Sequence, residues 1–473
     1  MNQWIPGAKR LYQRLPMPVR TWAASAYGFV LDGVRYGRDA ERRVQDALAR
    51  EGWSAEAWRA WHRAELAAVL DRAATRVPYY REQWRRRREA GDDAPWTELA
   101  NWPVLEKEPL RRDATVFVAD DVDRGRLLEY HTSGTTGTAL TLWRSVETNR
   151  AWYALYELRC RRWYGVGRGD RWAILGAQPV VPIQRREPPF WIWNAGLRQL
   201  YLSTFHVQAD NVAAYLEALR RHRVTYLLGY PNTIASLVAL ARERGVTGPR
   251  LRVMISNAEH LGERQRREIG EYFGCPVRNT YGMVELAAAG SECDHGVMHL
   301  WPDAGIVEVV DDATDAPVAA GEVGSLVCTG LLNRDMPLIR YRVGDRGALE
   351  NGGGTCGCGR TLPAIRAIEG RTSDLLIAAD GRRHFALAGL FQGLPIVERQ
   401  TIQHAVEHIE VLLVPDETFS EEHERVLRQR FVDLLGEVDV QVRRVEQVPR
   451  APNGKFRALV SHVEGGSMTG GGG

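Results

Sequence analysis

The chain is almost without lysine. It carries 62 basic residues among 473, yet lysine occurs only at Lys9, Lys107 and Lys455, and arginine supplies the rest. Where arginine serves so widely, a retained lysine marks a place that needs a compact ammonium rather than a planar fork. Lys9, near a chain end, is read as chance retention. A large charge of one sign is also missing. The net charge is +3, so no global field points to nucleic acid or to a membrane surface. No apolar run reaches membrane-spanning length. Residues 1–20 lack the apolar core of a signal peptide, which makes the cytoplasm the expected compartment. Cysteine is sparse: Cys160, Cys275, Cys293, Cys328, Cys356 and Cys358 are too few for a disulfide scaffold in a chain of this length. Cys356 and Cys358 stand too close for an ordinary bridge and suggest a metal instead.

What is present is an ordinary globular composition, 44% hydrophobic and 26% charged. The length implies two or more domains. Residues 1–100 read as helical and basic. Ser54 is placed to cap a helix carrying Trp58, Trp61, Leu66, Val69 and Leu70 at helical spacing. The run Trp84-Arg85-Arg86-Arg87-Arg88 reads as a solvated helix face in preference to a nucleic-acid contact. From about 128 to 290 strands alternate with helices. Strands are expected at 171–175, 224–228 and 251–256. Helices are expected from an Asp210 cap through Val212, Tyr215, Leu216 and Leu219, up to Arg244 with Gly245 as the stop, and over 261–273. Such alternation predicts a mainly parallel sheet, whose ligands lie beyond the carboxyl ends of the strands. Gly229-Tyr230-Pro231 and Asn257-Ala258-Glu259 fall there. From about 297 to 365 short strands at 306–310, 324–329 and 338–343 suggest a small β-rich subdomain. After Gly370 a strand, a helix over 420–435 and a strand over 438–442 suggest a compact tail domain. Residues 465–473 are a flexible glycine-rich tail. The expected class is α/β: a large N-terminal domain of mainly parallel sheet with helices and a β-rich subdomain, followed by a small, mobile α+β C-terminal domain.

The stretch His131-Thr132-Ser133-Gly134-Thr135-Thr136-Gly137-Thr138 is the densest chemical signal. Glycines let a backbone bend close to a ligand, and a bent run of N–H groups with hydroxyls beside it makes an anion nest. A plain surface turn is the competing reading. Thr138 stands where a Walker loop would need lysine, so a P-loop ATPase is excluded. Gly165-Val166-Gly167-Arg168-Gly169 fails as a dinucleotide fingerprint, because its third glycine is misplaced.

Four further pieces join that loop: Tyr281-Gly282-Met283-Val284-Glu285, Tyr341-Arg342-Val343-Gly344-Asp345, Glu369-Gly370-Arg371-Thr372-Ser373-Asp374 and Pro452-Asn453-Gly454-Lys455. In order and spacing they resemble the adenylate-forming (AMP-forming) ligase superfamily over residues 100–460. Pro103-Val104-Leu105-Glu106-Lys107, Gly229-Tyr230-Pro231 and the Cys-x-Cys-Gly-Arg at 356–360 resemble its phenylacetate–CoA ligase and CapK-like branch. The resemblance implies an adenylation core over 101–370, with the β-rich part from about 297, and a small C-terminal domain over 371–464. It implies ATP and Mg²⁺, with coenzyme A as the expected co-substrate. Thr132, Ser133, Gly134, Thr135, Thr136 and Gly137 would hold phosphates, and Ala258, Glu259, Tyr281, Gly282 and Asp345 the rest of the nucleotide. Glu285 would hold Mg²⁺, Lys455 would bridge the substrate carboxylate and the α-phosphate, and Arg371 would stand beside the ribose. Ser373 and Asp374 would form a hinge. Phe205, His206, Tyr230, Asn257 and Gly282 would line the acid pocket, and their aromatic character suggests an aryl acid. Thr138 and Val284 depart from the pattern, in which lysine and a hydroxyl residue are usual. Lys107 matches a position of the family without an evident chemical role, and a structural ion pair is the plain reading of it.

The cysteines then acquire a reading. Cys293, His299, Cys356 and Cys358, with His295 as the spare, suit a four-coordinate structural Zn²⁺, as in similar enzymes of the branch. Free cysteines in a glycine-rich turn are the alternative. The expected activity is adenylation of a carboxylic acid followed by acyl transfer to a thiol, most simply coenzyme A. Transfer to an amine or to a carrier-protein arm, and a non-catalytic nucleotide-binding relative, are the rivals. Partners are therefore small molecules or such an acceptor, with no nucleic acid and no membrane; a homodimer is left open.

Overall fold

A computed structural model describes residues 12, 14–132, 139–176, 178–350, 356–371, 376–379, 383–384, 390–391, 393–449 and 458–463, with the backbone alone at 367, 369–371 and 383. The chain forms two compact units. One comprises residues 1–343 and 347–368, the other residues 344–346 and 369–473. Among the described residues no helix is long and apolar enough to cross a membrane.

The strands, in chain order, are β1 (Leu128–His131), β2 (Thr141–Arg144), β3 (Trp172–Gly176), β4 (Trp191–Asn194), β5 (Gln199–Ser203), β6 (Tyr226–Gly229), β7 (Val253–Ser256), β8 (Val277–Gly282), β9 (Ala289–Glu292), β10 (Met298–Leu300), β11 (Gly305–Val310), β12 (Gly324–Gly330), β13 (Tyr341–Leu349) and β14 (Ala364–Arg371). β1 and β2 pair as a separate antiparallel hairpin. The other twelve make one sheet in the order β11-β12-β13-β14-β10-β9-β8-β7-β6-β3-β5-β4. Its middle, β5-β3-β6-β7-β8, is parallel. β6 and β7 are buried at every position, the continuous apolar run expected of strands covered on both faces.

β8 joins two sheet types. Its first half runs parallel to β7, from Met254↔Val277 to Ser256↔Asn279. Its second half runs antiparallel to β9, from Thr280↔Ser291 to Gly282↔Ala289. The β-rich stretch is thus continuous with the parallel sheet rather than set apart in a sheet of its own. It still has a distinct core, in which Tyr80, Trp102 and Phe117 from the N-terminal region pack with Leu326, Cys328 and Tyr341. Leu202, Tyr215, Leu227, Ile234, Met254 and Phe273 belong to a second core, between the parallel strands and their helices.

Local signals behave as their chemistry requires. The Ser54 hydroxyl accepts from Ala57 N at 3.2 Å at the start of the helix Ala55–Arg76. The helix Pro231–Glu243 opens on proline and is followed by Gly245 at φ +64°. Asp210 differs from expectation. It lies in a 3-10 turn ahead of the helix Val212–Arg221, whose cap residue is Asn211, and it pairs with Arg244 at 3.0 Å. The ion pair draws the carboxylate away from the helix end. The strand expected over 338–343 begins only at Tyr341. On the helix Pro78–Glu89, Arg85 and Arg86 pair with Glu82, at 2.7 Å each, which is the solvated-face reading of the basic run.

In the second unit β17 (Ile396–Ala405) and β18 (His408–Pro415) form an antiparallel hairpin, following the short pair β15 (Leu376–Ile377) and β16 (Arg383–His384). The helix Glu421–Leu435 then leads to β19 (Asp439–Arg444), parallel to β18, and β20 (Leu459–Ser461) runs parallel to β17. Leu427, Phe431 and Leu435 recur every fourth residue on that helix and fill the unit's core.

Candidate active site and cysteine–histidine cluster

The adjacency of β6, β7 and β8 brings the residues that follow each strand side by side. Tyr230 follows β6, Asn257, Ala258 and Glu259 follow β7, and the stretch from Tyr281 to Glu285 spans the end of β8 and the turn after it. Close packing enforces this end of the sheet. A Cβ on Gly229 would come within 2.7 Å of the Leu175 carbonyl oxygen, so β3 and β6 tolerate only glycine there. Asn257 N donates to Gly229 O at 3.2 Å, and Ala258 takes φ +63°. Glu259 is oriented by its neighbours. Its Oε2 accepts from Asn232 Nδ2 at 2.8 Å, and Asn232 Oδ1 accepts from Gln265 Nε2 at 2.7 Å. Burial, with the Glu259 charge second, pushes the Tyr230 phenol up to about 12.

Glu285 is half-buried, and its Oε1 accepts from the hydroxyl of the fully buried Tyr341 at 3.2 Å. Tyr281 is half-buried against the aromatic core, as are Met283 and Val284. Val284 thus has a packing role where a hydroxyl is usual in the family pattern. Gly282 is exposed, and a Cβ there would meet Trp152, at 3.9 Å.

The neck of the Ser/Thr/Gly loop is the β1–β2 hairpin. Thr132 N donates to Leu140 O at 3.0 Å, and Leu140 N donates back to Thr132 Oγ1 at 2.9 Å. The Thr132 hydroxyl oxygen therefore closes the loop, leaving its proton to donate. The Tyr130 hydroxyl donates to Asn149 on the helix Val146–Arg159 at 2.9 Å. Trp152, three residues along that helix, faces Gly282. One helix thus ties the loop's hairpin to β8. Ser133, Gly134, Thr135, Thr136, Gly137 and Thr138 lie outside the described residues, as do Ser373, Asp374, Lys455 and the side chain of Arg371.

Phe205 and His206, expected in the acid pocket, lie in a 3-10 turn after β5. Phe205 is half-buried, whereas His206 is buried, stacked on Phe190 with ring centroids 4.7 Å apart and bonded through Nδ1 to Ser203 Oγ at 2.8 Å. Burial lowers its pKa. Asp345 groups with the second unit, next to Gly344 at φ +80°. Lys107 Nζ donates to the Val343 carbonyl at 2.7 Å, an anchor to the main chain.

Cys293, His299, Cys356 and Cys358 converge, with one ligand atom from each lying within 4.8 Å of all the others. Cys293 precedes a tight turn at Gly296 (φ +77°), and His299 lies on β10. Cys356 Sγ stands 3.8 Å from Cys293 Sγ, and Cys358 Sγ stands 3.4 Å from His299 Nε2. The other ring nitrogen, Nδ1, lies 3.2 Å from the Leu362 carbonyl. A proton there turns the Nε2 lone pair toward the sulfurs. Burial pushes the Cys293 thiol up to about 11. Burial would also raise Cys358, but hydrogen bonds from the Arg360 backbone and side chain, together with those from Cys356 and Cys293, outweigh it and hold this thiol below its usual value. Arg360 itself is anchored, donating to Glu51 at 3.2 Å with its guanidinium over the Trp163 ring. His295 packs against the opposite turn, where a Cβ on Gly357 would come within 2.9 Å of its Nδ1.

Comparison with known proteins completes the picture. The sequence profile of the AMP-binding enzyme family matches residues 71–333, and that of the CapK C-terminal domain matches residues 383–462. Protein CapK of Staphylococcus aureus is 23% identical over 82% of this chain and 85% of its own length. The phenylacetate-coenzyme A ligase of Thermus thermophilus is 28% identical over 68% of this chain and 72% of its own. A crystal structure of 2-hydroxyisobutyryl-CoA ligase in complex with R3-HIB-AMP shares the fold. It gives a TM-score of 0.66 at 21% identity and covers 88% of this chain and 92% of that one. The chain belongs to the AMP-binding enzyme family, in its phenylacetate–CoA ligase and CapK-like branch.

Proposed function

We propose that this ATP-dependent, AMP-forming acid–CoA ligase acts on an aryl acid. ATP and the carboxylate give an acyl-adenylate with release of pyrophosphate. The coenzyme A sulfur then attacks the acyl carbon, and AMP leaves. The observation that carries the reading is the family match over 71–333, which holds the loop, Glu259, Tyr281 and Glu285 in one stretch. The relatives named phenylacetate-coenzyme A ligase support an aryl acid and coenzyme A. Similarity to CapK is compatible with an amine or carrier acceptor without favouring it.

Roles follow from the chemistry. The loop at 132–137 holds the phosphates, Tyr281 lies against adenine, and Asp345 and Arg371 serve the ribose. Lys455 meets the carboxylate and the α-phosphate, where charge builds up in the transition state. Glu285 suits Mg²⁺, since one oxygen is held by Tyr341 while the carboxylate stays half-exposed; the ion, when bound, neutralises phosphate charge. Tyr230 and Phe205 offer half-buried rings to the acid. ATP–pyrophosphate exchange across aryl and aliphatic acids tests the first half-reaction. A product survey with coenzyme A, amines and carrier protein tests the second. Exchange with aliphatic acids alone would overturn the aryl assignment.

The cluster fits structural Zn²⁺. Bonds of about 2.3 Å to sulfur and about 2.0–2.1 Å to nitrogen put tetrahedral neighbours about 3.8 Å apart for two sulfurs and about 3.5 Å for sulfur and nitrogen. The structure has 3.8 Å and 3.4 Å. Four protein ligands leave no open position, so the ion would serve stability. One equivalent of zinc in untagged protein, lost in Cys356→Ser, is the expected result; zinc content unchanged by that substitution refutes it.

A further inference from the structure

At the opposite end of β6 and β7 from Tyr230 and Asn257 lies a groove of about 600 Å³, lined by Arg220, Arg223, Arg250 and Arg252 with Thr225 and Pro249 among its walls. Arg220 and Arg223 come from the end of the helix Val212–Arg221 and the turn after it. Arg250 and Arg252 are two apart on the run into β7. All four are exposed, and among the described residues no carboxylate lines the groove. Two of the arginines are already tethered. Arg220 bonds Thr247 Oγ1 at 3.1 Å and has Glu217 at 3.5 Å, and Arg252 bonds Gly165 O at 2.8 Å. Among the described residues, the Arg223 and Arg250 guanidiniums have neither a hydrogen-bond nor an ion-pair partner. Arg223 is also held at φ +50°, a backbone region that non-glycine residues rarely enter.

Four guanidiniums with only Glu217 paired to one of them repel one another, and an anion relieves that repulsion. Guanidinium forks suit phosphate oxygens in bidentate geometry. The groove has the volume of a small-ligand site. Among the described residues no aromatic side chain lines it to stack a base, as strand-tracking nucleic-acid sites do. We propose that this groove binds a compact free oligophosphate, of pyrophosphate or tripolyphosphate size, apart from the nucleotide site and independently of the acid-ligase reading.

The test is calorimetric titration of the full chain with inorganic tripolyphosphate at physiological salt, with a non-hydrolysable ATP analogue present at saturation. The parent is expected to bind one equivalent. Arg223→Ser/Arg250→Ser removes two exposed, unpartnered cations and should keep its thermal midpoint while losing at least tenfold in affinity. Arg223→Lys/Arg250→Lys should retain part of the binding. No binding by the parent, equal binding by parent and serine variant, or binding of an oligonucleotide or acidic peptide in place of tripolyphosphate would each overturn the assignment.

Discussion

Tyr341→Phe tests how the carboxylate proposed for Mg²⁺ is held. The ring of Tyr341 is fully buried, and its hydroxyl donates to Glu285 Oε1 at 3.2 Å. A hydrogen bond to a charged group contributes about 1.5–3 kcal/mol when water is shut out. Here the distance is long for a hydroxyl–carboxylate bond, and Glu285 is half-exposed, so water can replace the lost donor. The expected loss is therefore about 1 kcal/mol, or about fivefold in kcat/KM for MgATP. Phenylalanine keeps the buried ring, so thermal stability should hold within a few degrees. The assay is ATP–pyrophosphate exchange at fixed ATP with Mg²⁺ titrated. The variant should need about fivefold more Mg²⁺ for half-maximal exchange, a factor set by the same 1 kcal/mol, with the KM for the acid unchanged. Repeating the substitution on a Glu285→Gln background makes the decision. If the hydroxyl acts through Glu285, it adds little there, because the two residues form one coupled pair. An equal fivefold loss on both backgrounds would refute the reasoning.

Three further outcomes follow from packing and ionisation. Gly229→Ala forces a methyl against the Leu175 carbonyl at the contact between β3 and β6; it should cost about 1–3 kcal/mol, read by denaturant titration, and an unchanged midpoint would count against the close approach. Phe431→Ala empties the centre of the second unit's core and should cost about 3–5 kcal/mol, with limited proteolysis cutting first within residues 396–463. Burial pushes Tyr12, Tyr230 and Cys160 up to about 12. Their unfolded counterparts lose protons first, the thiol near pH 9 and the phenols near pH 10, so the stability they contribute is whole below those values and falls as pH rises toward 12. Denaturation midpoints at pH 8, 9.5 and 10.5 should decline in that order, and a midpoint constant up to pH 10.5 would contradict the shifts.

Much was legible where a signal is local. Ser54 needs only its own hydroxyl and the next turn's N–H to start a helix, Gly245 only its freedom at positive φ to follow one, and β6 and β7 only a short apolar run. The family was legible for a different reason: phosphate, metal and carboxylate chemistry permits few residue types, and motifs in that order along the chain resemble few other families. Tertiary structure decided what depends on partners far off in sequence. Asp210 is a cap residue by type, but in the fold it precedes the cap position and its carboxylate meets Arg244. β8 reads as one strand, yet half of it pairs with β7 and half with β9, and hydrogen bonds between strands leave no mark in either sequence alone. Lys107 was singled out by its rarity, but one of its partners, the Val343 carbonyl, is main chain and has no residue type to recognise. Cys293 and His299 are separated from Cys356 and Cys358 by about sixty residues, and a metal needs their lone pairs within a few ångströms of one point. Composition by itself determined that ligands of the right kind exist; only the folding of the intervening strands decided that four of them meet.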